Sequence, residues 1–87
     1  MDANQIVAFN LRKLRVAKGL SQEALAVDAE IDRTYVSGLE RGLENPTVAV
    51  LERLAAALDT EIKVFFVKPG ANAKPVAPLK GGRKPKA

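Results

Sequence analysis

Gln22-Glu23-Ala24-Leu25-Ala26-Val27-Asp28-Ala29-Glu30-Ile31-Asp32-Arg33-Thr34-Tyr35-Val36-Ser37-Gly38-Leu39-Glu40-Arg41 decides the fold of this 87-residue chain. It reads as two short helices joined by a tight turn. Ser21 precedes the first as an N-cap, and Glu23 places negative charge in its first turn. Leu25, Ala26 and Ala29 form its inner face. Glu30-Ile31 makes the break, Asp32 caps the next helix, and the spacing predicts that helix over 33–41, closed by Gly42. Val36 and Leu39 sit three apart and face inward. One helix braced steeply across the other needs close contact, which the small Ala26 allows, while Ile31 plugs the turn. Arg33, Thr34, Ser37 and Gly38 are left on the outward face.

Working upstream, Val7, Leu11, Leu14 and Lys18 fall at i, i+4, i+7 and i+11, with Arg12, Lys13 and Arg15 between them. That is an amphipathic helix over about residues 4–18, ended by Gly19. Downstream, Asn45-Pro46-Thr47 is a loop and cap, and a helix over 48–58 buries Leu51, Leu54, Ala55 and Leu58. Residues 61–67 fit two patterns: Ile62, Phe65 and Phe66 suit a helix face, Ile62, Val64 and Phe66 a strand. A short fifth helix is preferred. Adjacent Phe65 and Phe66 cannot easily both face inward, so this edge is expected to form a dimer interface. The expectation is an all-α, compact five-helix domain over residues 1–67, its two-helix unit at 22–41, and a disordered basic tail over 68–87.

Charge is unevenly placed. Residues 1–66 hold eight basic and all ten acidic side chains, net −2; residues 67–87 hold six basic and no acidic ones, net +6. Basicity therefore argues for a nucleic-acid partner only through the tail and local patches. Cysteine and histidine are both absent, which removes disulfides, thiolate metal sites and the commonest general base. No enzyme, catalytic residue, metal or cofactor is expected. Asp28, Glu30 and Asp32 have calcium-loop spacing, but the required glycine and glutamate are Arg33 and Leu39. No apolar run reaches membrane-spanning length and no secretion signal is seen, so the expected location is the cytoplasm, on the nucleoid.

The runs Arg12-Lys13-Leu14-Arg15, Gly19-Leu20-Ser21-Gln22-Glu23-Ala24-Leu25-Ala26, Tyr35-Val36-Ser37-Gly38-Leu39-Glu40-Arg41-Gly42 and Asn45-Pro46-Thr47 resemble the phage Cro and repressor type of helix-turn-helix, the Xre family. The likeness covers roughly residues 5–66. It implies a lambda-repressor-like domain of five helices that binds double-stranded DNA as a homodimer, most often as a repressor on a near-palindromic operator.

Carried over by residue, the resemblance implies that Gln22 bonds a DNA phosphate, and that Arg33, Thr34 and Ser37 meet base edges in the major groove. Gly38 stands where many relatives carry a base-reading side chain, and would instead let the helix backbone approach the DNA. Tyr35, Arg41 and Asn45 would lie near the phosphates. Arg15 and Glu40 match a family pair that forms a partly buried salt bridge between the first and third helices. One departure is Glu30, where the family usually has glycine. A left-handed non-glycine residue costs on the order of 1 kcal/mol, so the turn is expected to be slightly re-formed.

Alternatives stand beside these roles. Tyr35 could pack its ring on the domain, and Ser37 could bond its own helix. The tail reads first as a solubilising extension; the sharper reading gives Lys80 to Lys86 contacts with DNA, although the Gly-Arg-Pro core of an AT-hook is missing. An antitoxin or a restriction-system controller would add a protein partner. A helix-turn-helix used only for protein contact would favour apolar groups at Arg33, Thr34 and Ser37.

Overall fold

The computed structural model describes residues 1–70. Four α-helices precede one 3-10 helix: α1 over Ala3–Ala17, α2 over Gln22–Ala29, α3 over Arg33–Glu40, α4 over Val48–Ala57, and α5, the 3-10 turn, over Ile62–Phe66. There is no strand among the described residues. The all-α expectation holds, with the fifth helix realised as 3-10. The expectation of a disordered tail falls mainly on residues 71–87, which lie outside the described residues.

Each helix begins where its cap dictates. Ser21 accepts from the Ala24 amide, Asp32 from Thr34 and Thr47 from Val50. The α1 start is better built than its sequence suggested. Asp2 accepts from the Gln5 amide at 2.9 Å, and the Gln5 side chain accepts from the Asp2 amide at 2.8 Å, a reciprocal capping box.

The turn after α2 corrects one expectation. It is not re-formed: Glu30 takes the left-handed conformation at φ 59 and ψ 46, as a glycine would. The Ile31 amide donates to Ala26 O at 3.0 Å, and partly buried Ile31 packs on the core. That bond satisfies a carbonyl at the end of α2 and, with the packing of Ile31, offsets the strain at Glu30.

The core gathers Val7, Leu11, Leu25, Val36, Leu39, Leu51, Leu54, Leu58 and Phe65 with the small Ala26, Ala29 and Ala55. Small residues in α2 and α4 let α2 lie close against both α3 and α4. Phe65 is fully buried and Phe66 is 51% exposed, so the pair divides as expected. Lys18, counted on the α1 stripe, is exposed beyond the helix end.

Buried Asn10 fixes the last element. Its Nδ2 donates to Phe65 O and to Val67 O, both at 2.8 Å. The side chain thus satisfies two carbonyls that the short 3-10 turn leaves open, and pins α5 to α1.

Candidate nucleic-acid interface

The two-helix unit carries the site. Leu25 and Ala26 of α2 and Val36 and Leu39 of α3 are buried together, which fixes the roll of α3 about its axis. Its opposite side then faces solvent. Arg33 and Thr34 are exposed there and Ser37 is half-buried. Thr34 sits in the first turn, where the Asp32 carboxylate takes its amide proton at 2.9 Å. The outward side is therefore polar, rigidly backed and able to present a guanidinium and two hydroxyls.

Gly38 departs from its expected place. It points outward by helical spacing but is buried, because Glu44 lies over it. A Cβ built on Gly38 would stand 2.8 Å from Glu44 Cγ. In the free chain it is therefore the Glu44 side chain that lies against this backbone, at the place where the resemblance has DNA approach.

The phosphate candidates divide. Arg41 and Asn45 are exposed beyond the end of α3, and Asn45 Oδ1 accepts from Asn4 Nδ2 at 2.6 Å. Asn4 was not expected at this edge; no local pattern links two residues so far apart in sequence. Tyr35 is partly buried and packs on the core. Gln22 is half-buried at the start of α2, and its Nε2 donates to Glu40 Oε1 at 3.1 Å.

Arg15 and Glu40 form the support beneath. Arg15 Nε meets Glu40 Oε2 at 2.6 Å, Nη2 meets Oε1 at 3.0 Å, and Nη1 donates to Leu20 O at 2.7 Å. Their side chains are 7% and 2% exposed, more enclosed than the partly buried pair expected. A two-pronged, water-excluded pair of this kind ties α1 rigidly to α3.

Residues 11–65 match the HTH_3 helix-turn-helix family model. The chain belongs to that helix-turn-helix family. The hypothetical transcription factor NHTF from Neisseria has a crystal structure that superposes with a TM-score of 0.76 at 41% identity, covering 78% of each chain. The restriction-modification controller protein C.AhdI from Aeromonas hydrophila gives 0.71 at 46% identity, over 72% of this chain and 96% of that one. The controller protein C.Esp1396I, solved as a tetramer on its natural 35 base-pair operator, gives 0.69 at 39% identity, over 76% and 87%. The resemblance read from the sequence thus holds, over residues 11–65 of the stretch 5–66 read for it. No metal-holding cluster and no helix long and apolar enough to cross a membrane occur among the described residues.

Proposed function

We propose that the protein is a sequence-specific DNA-binding transcriptional regulator that acts as a dimeric repressor on a near-palindromic operator. The observation that carries this is the outward side of α3, polar and exposed at Arg33 and Thr34 while Val36 and Leu39 anchor its back. A helix read by proteins instead of DNA would present apolar groups there. Arg33 reads guanine through O6 and N7, with Thr34 and Ser37 as shorter-range readers. Gln22, Tyr35, Arg41 and Asn45 are the phosphate contacts. The chain performs no catalysis and works in the cytoplasm on the nucleoid.

Pairing would use the α5 edge, where Phe66 and Val67 are 51% and 58% exposed. The same element borders a shallow groove whose wall includes Ala55, Ala56 and Ile62. Two copies joined there would present α3 to successive major grooves about 34 Å apart. A second reading, a restriction-system controller, is favoured by the two controller proteins whose structures superpose on this chain.

Selection of bound duplexes from a random pool tests the proposal. Two inverted half-sites one helical turn apart are expected. A pool that shows no enrichment at low salt would sink it.

A further inference from the structure

We propose that Glu44 is a negative element of the DNA-facing surface: seated on Gly38, its carboxylate repels phosphate and lowers affinity for every duplex alike. The inference rests on the reading of α3 as the groove-entering helix. Gly38 lies four residues after Thr34 and three before Arg41, so helical spacing puts it on their side of α3. That side should be open at Gly38, and it is covered by Glu44 alone among the nearest atoms: Cγ at 2.8 Å, Oε2 at 2.9 Å and Cδ at 3.3 Å from a Cβ built there.

The seat follows from local sequence. Gly42 takes φ +74, and the Leu43 amide donates to Gly38 O at 2.9 Å, which turns the chain back across the end of α3. Glu44 then falls over the helix backbone, in space that any Cβ at position 38 would fill. Among the described residues its carboxylate joins neither ion pair, Arg15 with Glu40 or Lys63 with Glu61. Along the chain it lies between Arg41 and Asn45, the two exposed groups proposed as phosphate contacts.

An unneutralised carboxylate beside those groups opposes the sequence-independent part of binding, which phosphate contacts supply. It leaves the base contacts of Arg33 intact. Non-specific occupancy then falls first, and residence on DNA comes to depend on base readout.

The test uses the full chain. Glu44→Gln keeps the shape and removes the charge; it should tighten binding roughly fivefold, the size of one close like-charge repulsion in water, on operator and unrelated duplex equally. Glu44→Lys should steepen the logarithmic salt dependence by about 0.9. In a Gly38→Ala background, where the seat is filled, the gain from Glu44→Gln should shrink. An undiminished gain there would overturn the role of the seat. Weaker operator binding with relaxed preference at one base pair would make Glu44 a base reader and overturn the proposal. Unchanged affinity for both duplexes would do so too. A wild-type chain that binds no duplex at low salt would instead overturn the underlying reading of α3.

Discussion

Arg15 and Glu40 meet through two parallel contacts, at 2.6 and 3.0 Å, with both side chains almost wholly excluded from solvent. Glu40 also accepts from Gln22, and Arg15 also donates to Leu20 O, so one buried pair joins three segments of chain. Breaking such a pair from one side leaves an uncompensated buried charge. Glu40→Ala should destabilise the domain by about 3–5 kcal/mol, and the paired replacement Arg15→Met with Glu40→Leu by much less. Urea unfolding of the three chains distinguishes these outcomes; equal losses would show that packing, not charge, dominates there.

Arg33 and Arg41 are predicted to fail differently. Arg33→Ala removes the proposed base contact: operator affinity should fall by about 1–3 kcal/mol and preference at one position should relax. Arg41→Ala removes the proposed phosphate contact: every duplex should weaken similarly and the salt slope should drop by about 1. Titrations at several salt concentrations with operator and unrelated DNA check both.

The neighbouring phenylalanines separate stability from assembly. Phe65→Ala empties a fully buried site and should cost about 3–5 kcal/mol in thermal or denaturant unfolding. Phe66→Asp should leave the fold unchanged by circular dichroism and lower the mass seen by sedimentation. An unaltered mass would remove α5 from the dimer interface.

Glu30 occupies a left-handed conformation that disfavours a Cβ. Glu30→Gly should therefore stabilise the domain by on the order of 0.5–1 kcal/mol. A loss of stability would mean that the side chain supplies more than its backbone strain costs.

Truncation after Lys68 removes five cations of the tail. As a solubilising extension, its loss should leave the salt slope of operator binding unchanged while solubility falls. A slope reduced by several units would assign the tail to the DNA.

Local chemistry made most of the architecture legible. Ser21, Asp32 and Thr47 cap the helices they were read as capping, because a cap needs only the next few residues. The stripes of α2, α3 and α4 were legible through their period, and so was the fact that Phe65 and Phe66 cannot both be buried, though not which of them is. What escaped is non-local. The burial of Asn10 depends on α5, 55 and 57 positions away, setting two carbonyls against it. Asn4 meets Asn45 across 41 positions, and Glu44 reaches Gly38 only because the chain doubles back at Gly42. The Asp2 capping box, by contrast, is local, set by Asp2 and Gln5 three positions apart and outside the apolar stripe of α1.

The two polar anchors of α1 have a joint consequence. Asn10 grips the α5 edge and Arg15 grips α3, five positions apart on one continuous rod, or about 7.5 Å along its axis. The gauge from the proposed pairing edge to the helix proposed to enter the groove is thus machined into a single continuous helix. Two joined copies would hold their reading heads at a set separation, and an operator with a base pair inserted between its halves would be met by one head at a time.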